Sequence, residues 1–388
     1  MSHVRKAPSG RWEARYRAPD GRERCQTFPT KREAVRFLER VGTDVQRGDW
    51  RDPVQARTRL DEWVERWWAT TVNLRPSSRA RDESYMRNHV LPAFGTHALG
   101  RISQLDVRAW VADLTASGLA PATVHKAYQT LAKVMRAAVD GDLIAQSPCR
   151  NVDLPRIERE EMRFLTPGEI VALADAMPAR YRAMVIFDGY CGLRMGELAG
   201  LRCGRVDLLR RQVRVIETAV EVKGELIFNA PKTSAGNRTV PVPASVASAL
   251  AEHLGRFSSG GPDDLVFPGA DGGALRVNAW RARHWQPAIK AARLAPLRPH
   301  DLRHTAVSLW IAAGASPKQI ATWAGHTSVA LVLDRYGHLL PGHEEAVLAA
   351  LDGFAKTPPE PAGDLLALPV SKNPAGFSRG ESASVPLA

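Results

Sequence analysis

The stretch Arg298-Pro299-His300-Asp301-Leu302-Arg303-His304-Thr305 sets two histidines and an arginine immediately behind a proline. Proline suits the first position of a helix, where its missing N–H is no loss, so the run predicts a helix that begins here. His300, Arg303 and His304 then fall at i, i+3 and i+4 and share one face of the first turn. That turn also carries free backbone N–H groups and the positive end of the helix dipole, which suit an anion. A competing reading of the spacing is a metal site, because H-x-x-x-H sets two imidazoles side by side. A zinc peptidase of that kind has glutamate after the first histidine, where this chain has Asp301.

Downstream, Ser316-Pro317-Lys318-Gln319 is a capping box opening a helix that ends at Gly325. His326 therefore lies in a sharp turn, and a last helix reaches Leu333-Asp334-Arg335-Tyr336-Gly337-His338. Upstream, Gly192-Leu193-Arg194-Met195-Gly196-Glu197-Leu198 follows an apolar helix and a glycine turn. The planar guanidinium of Arg194 matches two phosphate oxygens as lysine does not; taken alone, it reads as a surface arginine paired with Glu197. Between two strands, Ala230-Pro231-Lys232-Thr233-Ser234-Ala235-Gly236-Asn237-Arg238 offers Lys232 at a hairpin edge, where an ammonium can protonate a leaving oxygen. Singly, Lys232 is a solvated loop residue, His326 a turn residue and Tyr336 a core aromatic.

Charge gives the partner class. Lys and Arg total 53 against 41 Asp and Glu, a net charge of +12, which favours a polyanion through counterion release. No apolar run approaches the roughly 18 to 20 residues that span a bilayer, and basic Met1 to Gly10 has no apolar stretch behind it, so a cytoplasmic protein is expected. Cys25, Cys149, Cys191 and Cys203 are widely spaced, which argues against a zinc ribbon or a disulfide scaffold.

The chain divides by composition. Residues 1–52 predict a small module: a strand at Trp12–Arg17, a turn at Pro19-Asp20-Gly21, a returning strand at Arg24–Phe28, and a helix from Thr30. Arg11, Arg15, Arg17, Arg22 and Arg24 are expected to interleave with aromatics on this sheet, either as a DNA-binding face or as a solvated one. Residues 57–151 predict an all-helical region in which Leu60, Trp63, Val64, Trp67 and Trp68 form a packing stripe, with helices at 77–89, 106–117 and 123–140 broken at Pro92, Gly95, Gly118 and Pro121. After a charged linker, Thr166-Pro167-Gly168-Glu169 caps the first helix of a mainly helical region, 164–354, with a small antiparallel sheet. Residues 355–388, rich in Pro, Ala, Gly and Ser, read as a disordered tail. The fold class is multidomain α+β.

In conjunction, the ordered set Arg194, Lys232, His300, Arg303, His326 and Tyr336 resembles the tyrosine recombinase family, the phage-integrase type of site-specific recombinase, with all six positions filled across about 165–350. The resemblance extends to an arm-type DNA-binding domain at the N-terminus and a helical core-binding domain, whose DNA contacts include Arg75, Ser77 and Arg79. It implies that five residues surround a scissile phosphate and Tyr336 attacks it, leaving a 3'-phosphotyrosine and a free 5'-hydroxyl. The diester's energy is kept in the new bond, so neither ATP nor a metal cofactor is needed. It also implies Lys232 as general acid, a homotetramer on double-stranded DNA, and accessory partners such as an excisionase and DNA-bending proteins. Integration and excision of a phage or mobile element is the leading function; a chromosome or plasmid dimer resolvase and a regulator with an inactive catalytic domain are the alternatives.

An ordinary tyrosine, with a pKa of about 10, is ionised to roughly one part in a thousand at pH 7, a deficit of about 4 kcal/mol. Two arginines are expected to favour the phenolate and the extra charge of the transition state. His304 is a basic group that the six-residue pattern leaves unassigned. A segment at Glu344 to Leu351 is expected to pack on a neighbouring subunit.

Overall fold

The computed structural model describes residues 2–47, 50, 52, 54–158, 162–231, 233–258, 260–340, 348, 349, 351 and 352. Most of Glu344 to Leu351 and all of 355–388 lie outside these residues, so the expectations for both segments do too.

Four apolar cores form among the described residues, one in each of the first two regions of the chain and two in the third. In the first, strands β1 (His3–Lys6), β2 (Trp12–Arg17) and β3 (Glu23–Phe28) make an antiparallel sheet under helix α1 (Lys31–Arg47). Tyr16 and Ala18 pack with Val41, Phe37, Leu38 and Trp50. The sequence predicts only two strands. β1 escapes notice because its four residues, His-Val-Arg-Lys, carry one apolar side chain and no alternation. The expected interleaving of arginines and aromatics fails for Arg15 and Arg17, for a geometric reason: successive strand residues point to opposite faces, and of the strand arginines it is Arg24, opposite Tyr16, that shares the aromatic face. Ala14 and Tyr16 are buried on the α1 side, with Tyr16 and Phe28 against Phe37, whereas Glu13, Arg15 and Arg17 occupy the other face.

The second core is all-helical: α2 (Leu60–Thr70), α3 (Pro76–Tyr85), α4 (Leu91–Phe94), α5 (Gln104–Ala116) and α6 (Pro121–Asp140). Leu60 and Val64 are buried, and Trp63, Trp67 and Trp68 pack around them as the stripe predicts. Pro92 does not break the helix. A wide i→i+5 turn at Met86–Val90 precedes it and carries the chain directly into α4. Such a turn re-spaces the carbonyls a proline ring would otherwise strike. Pro287 sits at the same offset behind a second wide turn, Arg281–Trp285.

The third region holds the two remaining cores and the candidate site segments. It comprises α7 (Pro167–Asp175), α8 (Ala179–Cys191), α9 (Met195–Ala199), β4 (Val206–Asp207), β5 (Gln212–Val215), β6 (Thr218–Val222), β7 (Glu225–Asn229), β8 (Arg238–Pro241), α10 (Ala244–Phe257), α11 (Val277–Trp280), α12 (Gln286–Ala291), α13 (Pro299–Ala312), α14 (Pro317–Ala324) and α15 (Ala330–Tyr336). β4, β5 and β8 pair as one antiparallel sheet, and β6 and β7 form a separate hairpin. Helix α8 buries Tyr181, Met184, Val185, Phe187 and Cys191, so apolar residues occupy several of its faces. A helix of that kind has to be central, and α7, α10 and α13 pack around it.

The second and third regions touch. Arg75 donates to the carbonyl oxygens of Ala230 (3.3 Å) and Pro231 (3.2 Å), and Lys223, in the β6–β7 turn, pairs with Glu83 of α3 at 2.9 Å. Arg75 and Lys223 are solvent-exposed, and exposed contacts of this kind contribute little, about 0 to 1 kcal/mol.

Candidate active site

Local chain geometry builds the site. Helix α8 ends at Gly192 in the left-handed conformation (φ 62°), and α14 ends the same way at Gly325 (φ 64°). Each reversal presents carbonyls and one functional side chain to the start of α13, which lies between them.

Arg303 of α13 ties the three segments together. It is 2% exposed and donates to the Gly192 carbonyl at 2.6 Å, to the Ala324 carbonyl, and to His326 Nε2 at 3.3 Å. Burial, followed by the charge of Arg194, lowers it to about 10, so it stays protonated at neutral pH. Arg194 is half-exposed and donates to Gly325 O (3.1 Å) and Glu197 Oε1 (2.9 Å).

Behind them lies an ion pair with one partner that the sequence does not reveal. Glu197, 2% exposed, also accepts two bonds from Arg238 at 3.0 and 2.9 Å, and Arg238 donates to the Trp323 carbonyl at 2.6 Å. Burial alone would raise the Glu197 carboxyl; the bonds and charge of Arg238, with help from Arg194, prevail and hold it at about 2. The spacing from Arg194 marks Glu197 as a partner, but no local signal links Glu197 to a strand residue 41 positions away.

Asp188 is the contrasting acid. It is 1% exposed and neither carboxyl oxygen has a hydrogen-bond partner among the described residues. Burial pushes it well above the ordinary carboxylate range, and the charge of Arg303 only partly opposes this.

The histidines are held neutral. His326 falls to about 4 through burial and then the charges of Arg303 and Arg194, and its buried Nδ1 has no partner among the described residues. His300 keeps an exposed edge, yet the protein packed beneath it and the charges of His304, Arg303 and Arg194 bring it to about 4. Its ring meets that of His304 edge-on, 4.9 Å between centroids.

Tyr336 is 2% exposed, and its hydroxyl shares a 2.6 Å hydrogen bond with His304 Nδ1. Contrary to the expectation from the arginines, its pKa is raised, because burial outweighs the charges of Arg303 and Arg335. Lys232 lies outside the described residues. Among the described residues, no three of His, Cys, Asp and Glu are grouped to hold a metal ion, and no helix is long and apolar enough to cross a membrane.

Arg194, Glu197, His326, Thr327 and Leu331 line a cleft of about 440 Å³ whose other wall includes Arg75 and Ser77. Ser77 is half-buried; Arg79 bonds Glu83 at 2.9 Å and lies over the Trp68 ring. In the N-terminal sheet, Arg11, Arg17 and Arg22 are exposed, and Arg15 is bonded to Glu13 at 3.1 Å. Arg24 lies apart from these, bonded to Asp52 at 2.6 Å and Asp20 at 3.1 Å.

Comparison with known proteins gives one consistent picture. Residues 163–343 match the phage integrase family, 2–47 the phage integrase N-terminal domain and 59–115 the phage integrase N-terminal SAM-like domain. The chain is 30% identical over 364 residues to a protein named as a prophage phiRv2 integrase of Mycobacterium tuberculosis, covering 92% of this chain and 96% of the relative. It is 26% identical over 363 residues to the integrase of Mycobacterium phage L5, covering 90% and 96%. Among solved structures, the fold resembles the Tn1549 transposon integrase in complex with transposon right end DNA (TM-score 0.61, 18% identity, 77% of this chain and 100% of that one). It also resembles a lambda integrase tetramer bound to a Holliday junction (TM-score 0.52, 17% identity, 84% and 92%).

Proposed function

The chain belongs to the phage integrase family of tyrosine recombinases and is a tyrosine-type site-specific recombinase; from that premise we propose that Tyr336 attacks a DNA phosphate held by Arg194, Arg303, His300 and His326. The observation that carries the assignment is the bonding of Arg303. One buried guanidinium reaches the Gly192 turn beside Arg194, the Ala324 carbonyl and the His326 ring, so the cationic groups are prearranged around one point. Preorganised donors of this kind stabilise a transition state that carries more negative charge than the diester. The His326 ring is held in this set by the Arg303 N–H at its Nε2, which puts the ring proton on Nδ1.

Attack forms a bond from the phenol oxygen to phosphorus and breaks the bond to the 5'-oxygen, which takes a proton from Lys232. The free 5'-hydroxyl, or one from a second duplex, then attacks the phosphotyrosine and releases Tyr336. The DNA enters between the helical region and the catalytic region, displacing the weak Arg75 and Lys223 contacts, while the N-terminal sheet takes arm-type DNA. A homotetramer on attachment sites, assisted by accessory proteins, then integrates or excises a phage or mobile element. The relatives named as integrases support this setting.

The test needs no known site. The protein is incubated with a pool of short nicked duplexes, denatured, and the DNA that remains covalently attached is sequenced. The expected result is a wild-type adduct that is abolished in Tyr336→Phe, together with the core sequence. Tight binding to a defined sequence with no adduct would instead favour a regulator.

A further inference from the structure

We propose that His304 is a catalytic residue: it takes the Tyr336 proton as the phenol attacks and returns it when the phosphotyrosine is broken. The inference rests on the nucleophilic role of Tyr336 and extends it to the atom that receives the proton.

Four observations carry it. His304 Nδ1 and the Tyr336 hydroxyl are 2.6 Å apart, the short end of hydrogen bonding. Both residues are buried, at 6% and 2% exposure, so no bulk water competes for the proton. The ring is fixed one helical turn beyond His300, in edge-on contact with it, on the helix whose Arg303 organises the site. Finally, no other described group is hydrogen-bonded to the phenol oxygen. Around the imidazole, Arg303 and Arg298 of α13 and Arg335 of α15 oppose its charging, and Asp301 favours it; burial is the larger influence and lowers its pKa. The free ring is therefore neutral at neutral pH, and in the tautomer with its proton on Nε2 the Nδ1 accepts the phenol O–H.

The proton balance closes over the cycle. In cleavage the phenol O–H passes its proton to Nδ1, the oxygen bonds phosphorus, and the 5'-oxygen leaves with a proton from the general acid. The imidazolium then faces a phosphodiester whose departure as a tyrosine needs a proton back. Rejoining reverses each transfer, and no co-reactant enters. A chemistry that is its own reverse requires such a store, and His304 is the group in contact with the atom concerned.

The experiment uses the full chain and the nicked core duplex obtained by covalent capture. His304→Asn keeps a hydrogen-bond acceptor near the Nδ1 position but cannot take a proton at neutral pH. Adduct formation is expected to fall by about 100-fold or more, with DNA binding unchanged by gel shift. Its rate is expected to climb with pH where the wild-type rate is level. Replacing Tyr336 by a fluorinated, more acidic tyrosine is expected to rescue His304→Asn much more than it changes wild type, an outcome a packing defect does not produce. Wild-type rates in His304→Asn, or an unchanged pH profile without rescue, overturn the proposal while leaving Tyr336 as nucleophile. Absence of any wild-type adduct overturns the underlying assignment instead.

Discussion

Arg303 and Arg238, at 2% and 6% exposure, each donate to backbone carbonyls and stand against residues from distant parts of the chain. Arg15, on the outer face of the N-terminal sheet, is bonded to Glu13 two residues before it and loosely paired with Glu23 at 4.0 Å, and Arg17 next to it is exposed. Both regions gather arginines, but the fold commits the first set to fixed positions and leaves the second free to exchange partners. A site that stabilises a transition state needs charges that do not reorganise. A surface that follows a flexible polyanion gains from charges whose protein contacts are cheap to give up. The two arrangements predict different responses to substitution.

The largest effect on folding is expected at Arg238. Its two bonds to Glu197 satisfy a carboxylate that is 2% exposed, and Arg238→Met leaves that charge facing only Arg194. Removing one member of a buried pair costs about 3 to 5 kcal/mol, so chemical denaturation should show a loss of that size. A loss under about 1 kcal/mol would mean that the pair is no more than a surface salt bridge in effect.

Acid should expose the same difference. Glu197 sits at about 2 in the folded chain against an ordinary 4.5, so its contribution is fully present above pH 4.5 and is lost as pH falls through 2. The shift corresponds to about 3 kcal/mol. His300 and His326, lowered to about 4 from 6.5, act in the same direction over a higher window, between 6.5 and 4. The stability gap between wild type and Glu197→Gln isolates the carboxylate: measured from pH 7 downward, it should close below pH 4.5. Glu13, whose pKa is also lowered by its bond to Arg5, pairs on the outer face of the sheet with arginines that are themselves solvent-accessible, and Glu13→Gln should leave the acid limb nearly unchanged.

How much of this was legible in the sequence follows the same division. Arg194, His300, Arg303 and His326 were visible as candidates because they lie close to punctuation marks of the chain: Pro299 starts α13, Gly192 and Gly325 end helices, and Ser316 caps α14. Local turn chemistry fixes those positions, so their order can be read without the fold. Arg238, Asp188 and the His304–Tyr336 bond were not legible, because each depends on which long-range neighbours burial brings together. Burial also reversed the expectation for the phenol, since charge can be counted along a sequence and desolvation cannot. In the N-terminal module β2 and β3 were legible and β1 was not, and the shared face was missed because alternation had to be applied residue by residue against the pairing register.

The smallest effect separates two arginines that composition alone treats alike. Arg15 faces outward beside Arg17, while Arg24 is held by Asp52 and Asp20, with 19% of its side chain exposed. A phosphate that contacts Arg15 competes with Glu13 at 3.1 Å and with exposed Glu23 at 4.0 Å, and such a contact releases about one counterion. Arg15→Ala should therefore lower affinity for arm-type DNA and reduce the slope of log K against log salt by about 1, without a detectable change in unfolding midpoint. For Arg24, Asp52 at 2.6 Å and Asp20 at 3.1 Å hold the guanidinium more closely, so Arg24→Ala should leave the salt slope unchanged and loosen the join between the sheet and Asp52. Equal salt slopes for the two variants would mean that DNA reorganises this module on binding, and that its free and fixed arginines are less distinct than those of the catalytic region.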